Sequence, residues 1–78
     1  MTMLIDELVE VVRIQLGTMS IQPDSRFQED LDAESADVLN IVAAAEDRWK
    51  ITIGEEELAD LTTVNDLFEL VRQRVGDP

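Results

Sequence analysis

The chain has 78 residues and neither Cys nor His, which excludes disulfide staples and the usual zinc sites. A domain this short removes only about 60–65% of its unfolded surface from water, so its core is thin and its stability rests on packing and helix caps. Eighteen acidic residues against six basic ones give a net charge of −12, a field that repels phosphate backbones and attracts basic protein surfaces.

The apolar spacing is helical almost throughout and forms one domain over residues 1–78. Asp6 and Glu7 follow so soon after Met1 that no basic, apolar export signal is expected. No apolar run approaches membrane-spanning length, so the expectation is a cytoplasmic protein without a membrane span. A first helix is expected from Thr2 to Leu16: Leu4, Ile5, Leu8, Val11, Val12 and Leu16 form its stripe, and Gly17 is its stop. A long connection, 18–34, follows. Pro23-Asp24-Ser25 reads as a turn, with Ile21, Phe27 and Leu31 as apolar pegs. A structureless loop of this length in a small domain is uncommon and often functional.

The second helix is expected from Ser35 to Trp49. Val38, Ile41, Val42, Ala45 and Trp49 share its inner face. Ala36, Asn40, Ala43 and Asp47 lie opposite, with Leu39 at the edge, which leaves an outer face unusually poor in charge. Lys50-Ile51-Thr52-Ile53-Gly54 reads as an extended connector with Ile51 and Ile53 turned inward. A brief helix is expected over 55–61. Thr63 is the expected N-cap of the last helix, whose stripe is Val64, Leu67, Phe68, Val71 and Val75. Arg72 and Arg74 stand near its C-terminal end, before Gly76 and Pro78. The fold class is therefore all-α: a small four-helix bundle, three main helices plus one short helix, with a long first loop.

Without His or Cys, and with a bundle too small for a deep cleft, no catalytic residue is expected. Asp30, Asp32 and Glu34 imitate the start of an EF-hand. The sixth position is Ser35 where Gly is needed and the twelfth is Ile41 where Glu is needed, so no metal site is expected. Ser35 is the residue of interest. As an N-cap, its oxygen would accept the N–H of Asp37 or Val38; as an exposed hydroxyl at a helix N-terminus, it would suit covalent modification by a phosphate-linked group.

Phe27-Gln28-Glu29-Asp30-Leu31, Glu34-Ser35-Ala36-Asp37, Glu46 through Ile53, and Leu61 through Leu67 follow one another at a spacing that resembles the acyl carrier proteins. The resemblance covers nearly the whole chain. It implies that a phosphopantetheinyl transferase attaches 4′-phosphopantetheine covalently to Ser35, and that the arm tethers acyl or aminoacyl intermediates as thioesters. It also implies a loading enzyme and synthase partners with basic docking patches that meet Glu34, Ala36, Asp37, Leu39, Asn40, Ala43 and Asp47. The carrier would be a monomer, would catalyse nothing itself and would serve a lipid, polyketide or peptide pathway.

Four positions depart from the family pattern: Glu34 for an aspartate, Ala36 for a leucine, Asn40 for an acidic residue and Ala43 for a larger apolar one. They point to a specialised carrier with a dedicated pathway, or alternatively to an unmodified carrier-fold adaptor. Acyl chains slip between the helices in this family; Ala44 and Ala45 would widen that space, whereas Trp49 would fill it.

Overall fold

The structure is a computed structural model and describes residues 5–18 and 20–76. Among the described residues there are four helices: α1 (Ile5–Leu16), α2 (Ser35–Trp49), α3 (Glu55–Leu58) and α4 (Val64–Val75). No helix among them is long and apolar enough to cross a membrane. The chain is all-helical, as the periodicity predicts, with a long loop between α1 and α2.

Each helix forms where its sequence stops competing with it. Asp6 and Glu7 sit in the first turn of α1, and Arg13 in the last, both favourable to the helix dipole. Gly17 ends α1 in the left-handed region, φ +71°, with its N–H on the Arg13 carbonyl at 2.8 Å. The expected residues 2–4 of this helix lie outside the described residues. α2 has the expected bounds and ends on Lys50, which takes φ +56° in place of a glycine. α4 starts on the expected cap. Thr63 Oγ1 accepts the Asp66 N–H at 3.1 Å, and Asp66 Oδ2 accepts the Thr63 N–H at 3.0 Å, so two otherwise unpaired donors are satisfied reciprocally.

The expected brief helix over 55–61 is shorter than its composition suggested. α3 ends at Leu58, and Ala59-Asp60 form a turn whose closing bond runs from the Leu61 N–H to the Leu58 carbonyl at 3.1 Å. Leu61 thus leaves the helix to pack as a loop residue. α3 itself contains no fully buried side chain. It is held from outside: the Glu57 carboxylate accepts the Gly54 N–H at 2.9 Å and pairs with Arg74 of α4, while Arg74 Nε reaches the Thr52 carbonyl at 3.3 Å.

α1, α2 and α4 pack mutually around Leu8, Val12, Ile41, Ala45, Val64, Leu67 and Val71, all fully buried. The loops complete the core with Ile21, Phe27, Ala33 and Ile53. Burying a side chain such as Phe27 contributes about 1.5–3 kcal/mol, so this loop is a structural member of the bundle. Of the three expected pegs, Ile21 and Phe27 are buried and Leu31 is half-buried. The connector after α2 is extended, with Ile53 buried and Ile51 half-buried; the Ile53 N–H is held by Glu46 Oε2 at 2.8 Å.

The long loop is also stitched to the start of α4. Phe27 donates to the Thr62 carbonyl at 2.9 Å, Val64 to the Ser25 carbonyl at 3.0 Å and Asn65 to the Pro23 carbonyl at 2.8 Å. Arg26 and Thr63 form an isolated antiparallel bridge within this seam. The 22–25 turn closes as expected, with Ser25 Oγ turned inward to accept the Gln22 N–H at 2.9 Å.

Candidate functional site

The loop delivers the chain to Ser35 through a second set of bonds. The Arg26 carbonyl accepts the N–H groups of Asp30 (2.9 Å) and Leu31 (3.1 Å), and the Phe27 carbonyl accepts that of Ala33 (2.8 Å). Asp32 turns the backbone through φ +55°, and Ala33 is buried directly after it. The chain then enters α2.

Ser35 is not the N-cap. That position belongs to Glu34, whose carbonyl accepts the Val38 N–H at 3.0 Å as the first helical bond. Ser35 is therefore the first residue inside the helix. The bond that steadies the turn runs the other way from the expected one: Asp37 Oδ2 accepts the Glu34 N–H at 3.0 Å. The physical reason is register. The Glu34 carbonyl takes the first helical bond, from Val38, so Ser35 is already inside the helix, one residue past the position from which a side chain caps. Ser35 is exposed, and its hydroxyl has no hydrogen-bond partner among the described residues.

Beside Ser35 lies a groove of about 520 Å³ between the start of α2, the 26–29 turn and α3. Val38, Leu39, Phe27, Leu58 and Leu61 give it apolar walls, and Arg26, Glu29 and Glu55 are among its polar lining. Leu39 is 53% exposed, an unusual state for a leucine and one that leaves its side chain at the groove's lip. Ala44, Ala45 and Trp49 are not among the lining residues. Ala45 is fully buried in the core, and Trp49 is half-buried with the Arg48 guanidinium 5.3 Å from its ring centroid.

The other residues singled out from the sequence divide into two groups. Glu34 and Asp37 flank Ser35 and are bonded to each other. Ala36, Asn40, Ala43 and Asp47 are exposed along the outer face of α2, with Asp47 3.8 Å from the Lys50 ammonium. This face does not line the groove.

The reading of the sequence missed Arg26, Leu58, Ala59 and Thr62, which close the groove from the far side. Arg26 carried a signal: it is the one basic residue between Arg13 and Arg48, with acids three and four places on. Its guanidinium pairs with Glu29 and meets both oxygens of Asp30 at 3.2 Å. The hydrogen bond from Arg26 holds the Asp30 carboxyl below its ordinary range, and the same bond raises Arg26.

A family model described as "Phosphopantetheine attachment site" matches residues 4–71. An acyl carrier protein of Streptomyces coelicolor is 35% identical over 78 residues, covering 96% of this chain and 85% of that one. The crystal structure of an acyl carrier protein from Thermotoga maritima superposes with a TM-score of 0.79 at 27% identity, covering 92% of this chain and 86% of that one. A holo acyl carrier protein from Geobacter metallireducens shares the fold with a TM-score of 0.81 at 23% identity, covering 92% and 85%.

Proposed function

The chain belongs to the acyl carrier proteins, the family that bears a covalent 4′-phosphopantetheine, and we propose that Ser35 is the residue that bears it here. The protein is a carrier and not an enzyme; a phosphopantetheinyl transferase and synthases are its partners in general terms. The observation that carries the assignment to Ser35 is its hydroxyl: exposed, unpartnered and set in the first turn of α2 at the mouth of a partly apolar groove.

The site fits the group. The N–H groups of the first helical turn, Ser35 to Asp37, have no carbonyl four residues back within the helix. Donors at a helix N-terminus suit a phosphodiester attached there. The arm supplies a thiol, which holds acyl or aminoacyl cargo as a thioester. The chain's own work is to hold Ser35 outward, to offer the groove as shelter and to dock partners. A short flexible tether then keeps the cargo at high effective concentration in a docked partner's active site.

Docking is assigned to Glu34, Ala36, Asp37, Leu39, Asn40, Ala43 and Asp47, against partner surfaces that are basic around a small apolar centre. The small Ala36 and Ala43 and the uncharged Asn40, all exposed on the outer α2 face, support a dedicated set of partners, in a lipid, polyketide or peptide pathway, over general fatty-acid enzymes. The reading includes a single carrier domain over 1–78, working as a monomer in the cytoplasm.

The deciding experiment is intact-protein mass after incubation with coenzyme A and a broad-specificity transferase, alongside Ser35→Ala. One phosphopantetheine gained by the wild type and none by the variant is the expected result. No gain, with transferases of the same genome failing too, would replace the carrier by an unmodified acidic adaptor, the reading that the Glu34 and Ala36 departures favour.

A further inference from the structure

Carrier function as described leaves Arg26 without a task. Yet this side chain ties together the segment that leads to Ser35. One carboxylate, that of Asp30, accepts three bonds from a single residue: from the Arg26 backbone N–H at 2.8 Å and from two guanidinium nitrogens at 3.2 Å each. Glu29 pairs with the same guanidinium. The Arg26 carbonyl meanwhile accepts from Asp30 and Leu31, and the adjacent Phe27 is joined on one side to Thr62 and on the other to Ala33, two places before Ser35. Arg26 also lines the Ser35 groove.

We propose that Arg26 is a positioning residue for the modification of Ser35: by clamping Glu29 and Asp30 it fixes the 26–33 turn, and so the direction in which the Ser35 hydroxyl faces an incoming transferase. This rests on the reading of Ser35 as the attachment residue. Exposed ion pairs do little for stability, and Arg26 is half exposed. Its role therefore lies in geometry rather than in holding the fold. The planar fork matches a carboxylate in a way that a lysine ammonium does not, so charge alone does not substitute for it.

Arg26 has a second consequence that separates positioning from plain electrostatics. Its single positive charge offsets one of the two carboxylate charges, Glu29 and Asp30, that it pairs with. Removing it makes the site more acidic, which favours encounter with a basic transferase. Loss of positioning lowers kcat, whereas the change in charge leaves KM equal or lowers it. The two effects are read separately.

The test compares wild type, Arg26→Gln, Arg26→Lys and Ser35→Ala. It measures kcat and KM for modification by a broad-specificity transferase with coenzyme A, together with amide hydrogen exchange. Arg26→Gln is expected to lower kcat about tenfold, below the roughly hundredfold that a 1 Å misplacement of a reacting group costs. Its KM should be no higher, with faster exchange at Asp30, Leu31 and Ala33 and unchanged protection at Leu67 and Val71. Arg26→Lys should fall between. Wild-type kcat in Arg26→Gln, a defect in KM alone, or a loss of protection that extends to Leu67 and Val71 would each overturn the positioning role while leaving Ser35 in place. A wild type that gains no mass removes the Ser35 reading and this role with it.

Discussion

Asp32 holds a left-handed backbone, φ +55°, three residues before Ser35. Aspartate tolerates that conformation better than most residues, but only glycine, which has no Cβ to crowd, adopts it freely. Relief of about 1 kcal/mol is offset by the roughly 0.4–1 kcal/mol that glycine's extra freedom gives the unfolded chain, so Asp32→Gly should stabilise by a few tenths of a kcal/mol and raise Tm by about 1–3 °C, read by thermal unfolding; a lower Tm would show that the strain is smaller than the entropy it offsets. The opposite sign is expected at Thr63, whose hydroxyl caps α4: Thr63→Ala should destabilise by about 1 kcal/mol. Asp30 gives the pH dependence. Its pKa is depressed by Arg26, so the folded state binds its proton less readily than the unfolded chain. The stabilisation is fully present above the ordinary carboxylate pKa and is lost as pH falls through the lower folded value. An NMR titration should show Asp30 protonating below free aspartate, and Arg26→Gln should move that midpoint up.

Among the elements, α2 and α4 were readable from the sequence because local chemistry and burial agree in them. α2 has its inner stripe, and α4 has a Thr-x-x-Asp cap followed by a stripe in which Val64, Leu67 and Val71 are buried and Phe68 half-buried, while Val75, expected in it, is exposed at the helix end. α3 was overextended, since three glutamates and two leucines look helical while only tertiary packing decides that Leu61 belongs to the loop. The capping of α2 was misread because a serine and a preceding glutamate compete for one position, and the Asp37 side chain, not propensity, settles it. The seam between 23–27 and 62–65 was invisible: it is made of backbone bonds, which leave no side-chain pattern. α3 also carries a prediction. With no fully buried side chain it depends on Glu57 for both its N-terminal bond and its tie to Arg74. Glu57→Ala should speed amide exchange across 54–58 while α2 and α4 keep their protection. Uniform loss across all helices would mean that Glu57 supports the whole bundle instead.

For the molecule as a whole, a charge of −12 spread over dimensions of 30 × 25 × 19 Å acts in two directions at once. Self-repulsion weakens the compact state, and the same field draws in basic partners. Raising salt from about 10 mM to 0.5 M should therefore increase Tm while slowing transferase modification, because both effects are screened within a Debye length that shrinks from about 30 Å to a few ångströms. A Tm that falls with salt would point to ion pairs such as Arg26–Glu29 and Arg74–Glu57 outweighing the repulsion. The seam between the long loop and the start of α4 has a consequence for the order of events during synthesis. The carbonyl of Thr62 and the amides of Val64 and Asn65, which pin residues 23–27, follow Ser35 in the order of synthesis. The growing polypeptide thus displays the serine before the long loop is pinned, and that loop takes its native course only once the start of α4 has emerged.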